Sequence, residues 1–161
     1  MKYSEAKIEN IPEVVKSALI KNKSTTKGML LYGKTGSGKT YCLYAMKNVA
    51  NKKYRIENWV EMMIEIRDRV SQGREIGAVI ADICDTDVLA IDDLGAENQT
   101  PFSQEVIYAI INRFYIGEKR LIIATNLTLE DLSEKYGDRV FSRIAEMCEL
   151  VEIKGNDRRL T

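Results

Sequence analysis

The sequence has 161 residues, 45% of them hydrophobic, with 24 basic side chains against 24 acidic ones and no histidine. That length and apolar content suit one compact domain with a real core. The balanced charge excludes a uniformly basic nucleic-acid binder, so any contact with DNA or RNA must come from a local patch; the lack of histidine removes the usual general base and the Ser-His nucleophile pair.

Asn10-Ile11-Pro12-Glu13 reads as a helix start, with a capping Asn, Pro in the first turn and an acid near the positive end, and it opens a helix over residues 8–20. A polar loop over 21–27 leads into Gly28-Met29-Leu30-Leu31-Tyr32, an apolar run that predicts a buried strand. Residues 40–50 read as a helix and Tyr54-Arg55-Ile56 as a short strand. Trp59, Met62, Met63, Ile66 and Val70 recur at helical spacing, which predicts an amphipathic helix over 58–72 whose apolar stripe is core. Val88-Leu89-Ala90-Ile91 is a third strand. A helix over 102–115 follows Thr100-Pro101, and Leu121-Ile122-Ile123-Ala124 is the fourth strand. Short helices over 129–135 and 138–146 flank Gly137, and Leu150-Val151-Glu152-Ile153 closes the series. Strands alternating with helices predict an α/β fold with a five-stranded parallel sheet between helices.

No apolar run approaches the roughly 18 residues of a membrane span, and the opening MKYSEAKIENIP lacks the apolar core of a secretory signal. Cys42, Cys84 and Cys148 are far apart with no C-x-x-C pair. They read as reduced, mostly buried thiols of a cytoplasmic protein.

Gly33-Lys34-Thr35-Gly36-Ser37-Gly38-Lys39-Thr40 fits G-x-x-x-x-G-K-[ST] at every fixed position, between a strand and a helix. Glycines let the backbone turn with positive φ and bring its N–H groups to phosphate oxygens, and the helix behind them points its positive end at the anion. Lys39 reaches the β- and γ-phosphates and the Thr40 hydroxyl binds magnesium. These eight residues and the next, Tyr41, form the expected site for ATP and Mg2+. Val88-Leu89-Ala90-Ile91-Asp92-Asp93 has the form of a Walker B strand: Asp92 would hold the metal and Asp93 would orient the attacking water. Many ATPases carry glutamate at the second position, so Asp93 is one methylene short, and Glu97 is a nearby substitute.

Three further blocks narrow the choice: Ala124-Thr125-Asn126-Leu127-Thr128, then Tyr136-Gly137-Asp138-Arg139-Val140-Phe141-Ser142-Arg143-Ile144, then Lys154-Gly155-Asn156-Asp157-Arg158-Arg159. In this order, together with VLAIDDLGAE over 88–97, the chain from about Ile8 to Arg159 resembles the AAA+ ATPase domain of the DnaC/DnaI-type replicative helicase loaders. The IstB-type transposition helpers share much of the pattern. The resemblance implies a P-loop NTPase of the AAA+ type without a separate helical lid domain, residues 27–161, behind an N-terminal helix and linker, residues 1–26. It implies an ATPase, slow as a lone protomer, that self-assembles into an ATP-bridged oligomer and acts on a replicative helicase and single-stranded DNA. It assigns Asn126 to sensor 1, Arg143 to the arginine finger that reaches a neighbour's ATP, with Arg139 in support, and Arg159 to sensor 2, with Arg158 as second choice. Known loaders usually carry an N-terminal helicase-gripping domain, whereas about two dozen residues precede the P-loop strand here.

Plainer roles exist for the same residues. Asn126 could cap the helix beginning near Thr128, Arg139 and Arg143 could form a solvated face, and Arg158 and Arg159 a basic tail. For DNA, Lys52, Lys53 and Arg55 form one basic cluster, with Tyr54 available for stacking, and Arg67, Arg69 and Arg74 form another. A nucleotide-gated binding protein with negligible hydrolysis and a P-loop small-molecule kinase are the competing functions.

Overall fold

A computed structural model describes residues 2–155 of the chain. Five parallel strands form its centre: β1 (Gly28–Tyr32), β2 (Tyr54–Asn58), β3 (Val88–Leu94), β4 (Arg120–Thr125) and β5 (Cys148–Glu152), in the order β2-β3-β4-β1-β5. Side chains alternate between the two faces, as the pleat requires. Met29, Leu31, Val88, Ala90, Ile122 and Ala124 point to one face, where α1 (Glu13–Lys21) and α2 (Lys39–Val49) pack. Leu30, Leu89, Ile91, Leu121 and Ile123 point to the other. That second face is covered by α3 (Trp59–Ser71), α4 (Ile76–Ile83), α5 (Pro101–Gly117), α6 (Leu129–Tyr136) and α7 (Asp138–Met147). Both faces are dry, which is why the strands read as continuous apolar runs.

Several local expectations change. The first helix is broken: a 3-10 turn at Ile8–Asn10 is followed by α1, and Pro12 occupies the N-cap position, not the first turn. Asn10 does not cap; its Nδ2 donates to the Tyr41 hydroxyl at 3.4 Å. The segment before β1 packs on the sheet: its 3-10 turn meets α2 and α1 meets β5, with Ala6, Ile11, Val15 and Ala18 buried in one cluster with Cys42, Leu43 and Met46. Helix α4 has no counterpart in the sequence reading. Strand β2 runs two residues past Ile56, and β3 three past Ile91.

The three cysteines are buried and none is in a disulfide. Burial pushes Cys84 up to about 11 and Cys148 up to about 12, so both stay protonated and unreactive at neutral pH. Among the described residues no helix is long and apolar enough to cross a membrane.

Strand β1 carries the P-loop, and its first residue fixes its seat between β4 and β5. A Cβ on Gly28 would meet the Leu121 carbonyl oxygen at 1.7 Å and the Cys148 sulfur at 3.2 Å. Backbone cannot yield as a flexible side chain can. Gly28→Ala is therefore expected to destabilise the domain by about 3 kcal/mol or more. Urea unfolding measures this; a loss under about 0.5 kcal/mol, the level of an ordinary surface change, would contradict the strand packing.

Candidate nucleotide site

The carboxyl ends of β1, β3 and β4 open on one side of the sheet, where ligands collect in doubly wound folds. After Tyr32 the chain turns through Gly33 (φ 147°), Gly36 (φ 79°) and Gly38 (φ 99°). At Gly33 a Cβ would lie 2.3 Å from the Ile153 carbonyl oxygen, so only glycine lets the loop start this close to the chain leaving β5. Gly38 is the N-cap of α2 in the left-handed region, and no side chain caps this helix. Its first-turn N–H groups and the positive end of its dipole are therefore left to an anion.

Lys39 is buried, 6% exposed, and its ammonium lies across the loop. It donates to the Gly33 carbonyl at 2.7 Å, the Lys34 carbonyl at 2.8 Å and the Ser37 hydroxyl at 3.2 Å. These neutral acceptors hold the cation in place without cancelling its charge. A cavity of about 410 Å³ lies over the loop, lined by Thr35, Gly36, Gly38, Lys39, Thr40 and Tyr41 and closed by Asp93 and Asn126.

The Thr40 hydroxyl donates to the Asp92 carboxylate, at 2.9 and 3.1 Å from its two oxygens. A hydroxyl and a carboxylate in contact are hard oxygen donors of the kind magnesium prefers, so this pair fits the metal. Asp92 also accepts the Asp93 N–H at 3.0 Å. Burial, the largest influence, raises the Asp92 pKa above its ordinary 3.8, and the Asp93 charge adds to that. The Thr40 and Asp93 hydrogen bonds and the Lys39 charge act in the opposite direction. An acid with a raised folded pKa adds stability below its unfolded value and loses it as pH rises through the folded one. Ionised Asp92 is therefore a cost at neutral pH. Asp92→Asn should raise the melting temperature of the nucleotide-free protein at pH 7.5, with the advantage shrinking toward pH 4. Equal melting temperatures at both pH values would contradict this electrostatic picture.

Asp93 owes its position to a slip in the ladder. The β3–β4 register shifts between Ile91 and Leu94, and Asp93 takes a left-handed backbone, φ 55°. Such a conformation costs a non-glycine residue on the order of 1 kcal/mol. It brings Asp93 to the cavity wall, while Asp92 stays buried beside Thr40. Asn126 follows directly on β4 and lines the same wall. It does not cap α6: that is done by Thr128, whose hydroxyl accepts the Asp131 N–H at 3.1 Å. Glu97 is engaged elsewhere. It accepts from the Tyr136 hydroxyl at 2.6 Å, lies 3.7 Å from the Lys135 ammonium and does not line the cavity.

Two cavity residues escaped the sequence reading, Lys2 and Tyr3. Tyr3 stacks on Tyr44 at 5.1 Å and meets Tyr41 edge-on at 6.4 Å, while the Tyr41 hydroxyl accepts the Lys7 N–H at 2.9 Å. No motif links residue 3 to the P-loop; the only signal is a second aromatic ring one helical turn after Tyr41.

The arginines stand apart from this cavity. Arg143, on α7, donates to the Asn112 side-chain oxygen at 2.7 Å and lies over the Tyr108 and Tyr115 rings, three residues of α5. Arg139 lies over the Tyr108 ring at 5.5 Å. Arg158 and Arg159 fall outside the described residues. The basic clusters are largely paired: Lys53 with Asp85, Arg55 with Glu57, Arg69 with Glu65 and Asp82, Arg74 with Asp82. Arg67 lies over Phe102 at 5.0 Å. Tyr54 is not a free stacking platform. Its ring packs against the core beneath α2 and its hydroxyl is enclosed.

Compared with known proteins, residues 3–161 match the family described as IstB-like ATP binding protein. The chain belongs to that family. The chain is similar to a phage-element protein and to replication proteins. It is 27% identical to the phage-like element PBSX protein XkdC of Bacillus subtilis (strain 168), over 95% of this chain and 64% of that one. It is 24% identical to the replicative helicase loader DnaC of Escherichia coli (strain K12), over 70% of this chain and 47% of that one. A crystal structure of the DnaC helicase loader superposes with a TM-score of 0.77 at 25% identity, covering 95% of this chain and 99% of that one. The replication initiator DnaA, bound to AMPPCP and single-stranded DNA, gives 0.77 at 25% identity, covering 94% and 50%. The chain spans about half the length of the curated relatives it matches. An α/β AAA+ domain and a family property of ATP binding thus agree with the cavity over the P-loop.

Proposed function

We propose that this IstB-like protein is a magnesium-dependent ATPase of DNA replication, of the helicase-loader kind, acting on a replicative helicase and single-stranded DNA. The observation that carries the catalytic part is the division of the machinery. Lys39, Thr40 with Asp92 bonded behind it, Asp93 and Asn126 converge on one cavity, while Arg143 is held by Asn112, Tyr108 and Tyr115 of α5 and does not line it. Lys39 and the α2 N-terminus hold the triphosphate. Magnesium, held by Thr40 and Asp92, would neutralise phosphate charge when bound. Asp93 and Asn126 orient the attacking water from the cavity wall. No arginine lines the cavity among the described residues; the further cation that γ-phosphoryl transfer uses is supplied by Arg143 of a second copy. ATP bridges neighbours, and turnover belongs to the assembly. Similarity to the helicase loader DnaC supports a helicase as partner, and similarity to DnaA bound to single-stranded DNA supports DNA.

A steady-state ATPase assay across protein concentrations, with and without single-stranded DNA, tests this. Turnover per protomer should rise steeply with concentration and rise again with DNA. A specific activity flat across both would reject the shared-site reading. The left-handed Asp93, one methylene shorter than glutamate, also favours a second reading, a nucleotide-gated binder with negligible hydrolysis. ATP-dependent assembly with no phosphate release at any concentration would select it.

A further inference from the structure

We propose that Tyr108, Asn112 and Tyr115 are positioning residues that hold the Arg143 guanidinium, un-neutralised, for the triphosphate of a second copy of this chain. The inference rests on the shared-site reading above and adds the residues that make Arg143 usable.

Tyr108, Asn112 and Tyr115 are spaced four and three residues apart, so they line one face of α5. Arg139 and Arg143, four apart, line the facing side of α7. The Arg143 guanidinium sits 5.5 Å from the Tyr108 ring centre and 5.4 Å from that of Tyr115, and its Nη1 donates to Asn112 Oδ1 at 2.7 Å. Arg139 covers Tyr108 at 5.5 Å. Tyr108 itself is 37% exposed, so this cluster opens to the surface.

The partners are telling in what they are not. Arg55, Arg69 and Arg74 each have a carboxylate partner, whereas Arg67 lies over Phe102 and Arg120 donates to the backbone carbonyls of Asn22 and Thr25. Neither Arg139 nor Arg143 has one among the described residues. Glu146, one turn beyond Arg143, accepts the Tyr115 hydroxyl at 3.0 Å instead. A carboxylate would fix the guanidinium but spend its charge. An amide oxygen and two ring faces fix its plane and direction and leave the charge for an anion. These contacts stabilise the side chain modestly and leave its charge available to a triphosphate.

Asn112→Asp is the sharpest test, because it keeps the shape and adds the missing charge. Its turnover at high protein concentration should fall about a hundredfold, toward that of Arg143→Ala, with ATP affinity within about twofold of wild type. Mixed with Lys39→Ala protomers, which carry intact Arg143 but no working P-loop, Asn112→Asp should regain turnover, which a misfolded variant would not. Should Asn112→Asp fail to fold, the Tyr108 pair decides: Tyr108→Phe keeps the ring and should keep turnover, while Tyr108→Leu should lose about tenfold. Wild-type turnover in Asn112→Asp or in Tyr108→Leu, beside an inactive Arg143→Ala, overturns the positioning role alone. An active Arg143→Ala overturns the shared-site reading beneath it.

Discussion

Lys39→Ala is expected to weaken ATP binding by about a hundredfold or more while leaving the fold nearly intact. Both halves follow from how Lys39 is held. Its ammonium makes three hydrogen bonds to neutral acceptors of the loop. Losing those bonds frees the carbonyls of Gly33, which is half-buried, and Lys34, which is exposed, to water. The cost to the nucleotide-free protein should stay near 1 kcal/mol. With ATP the ammonium faces phosphate oxygens, and hydrogen bonds to charged groups are worth about 1.5–3 kcal/mol each. Losing about 3 kcal/mol is roughly a hundredfold in Kd. Thermal melts make the comparison without a kinetic assay. At ATP of about 100 times the wild-type Kd, wild type gains about 2.7 kcal/mol of stability, whereas a variant binding a hundredfold more weakly gains about 0.4 kcal/mol. An ATP-induced shift in Lys39→Ala equal to that of wild type would remove the P-loop assignment itself.

The residues of that site were legible because its chemistry is local. A phosphate cradle needs glycines, a lysine and a hydroxyl at fixed spacing, so residues 33–40 announce themselves, and the apolar run ending in Asp92 and Asp93 does so in their company. What sequence leaves open is which of two adjacent acids is buried. The ladder slip that sends Asp92 inward to Thr40 and Asp93 to the cavity wall has no residue signature. Strand order is equally silent in the sequence, yet it sets Asn126 beside Asp93, because β4 lies between β3 and β1. Helix α4 could have been read: Ile76, Val79, Ile80 and Ile83 keep helical spacing, and Gly77 and a length of eight residues weaken the pattern without erasing it. The reverse error came at Asn10. A good capping residue before Pro12 looked like a helix start, but tertiary contact with Tyr41 claims that side chain and the chain turns twice where one helix was expected. Tyr3, Tyr108 and Tyr115 share a different limit. Aromatic residues at the surface carry no motif, and only the packed helices reveal what each ring faces.

Arg143→Ala should leave ATP affinity unchanged and lower turnover by about a thousandfold at concentrations where wild type is assembled, the scale of an arginine supplied in trans. The unchanged affinity is the diagnostic half. Arg143 touches Asn112, Tyr108 and Tyr115 and not the cavity of its own chain, so its loss cannot reach the nucleotide within one protomer. Folding should suffer modestly, since one hydrogen bond and two ring contacts on a partly exposed side chain amount to about 1–2 kcal/mol. Melting temperature and ATP binding together therefore separate a damaged fold from a lost cation. The concentration dependence gives the sharper reading. In wild type, turnover per protomer rises as interfaces form, whereas in Arg143→Ala it should stay at the lone-protomer level however concentrated the protein. An equal mixture of Arg143→Ala and Lys39→Ala adds what neither variant has alone. In a head-to-tail assembly about a quarter of the interfaces pair an intact P-loop with an intact Arg143, and turnover should recover in that proportion. No recovery from two folded, co-assembling variants would mean that phosphate cleavage is completed within one chain, and the charge held between Tyr108 and Tyr115 would need another anion.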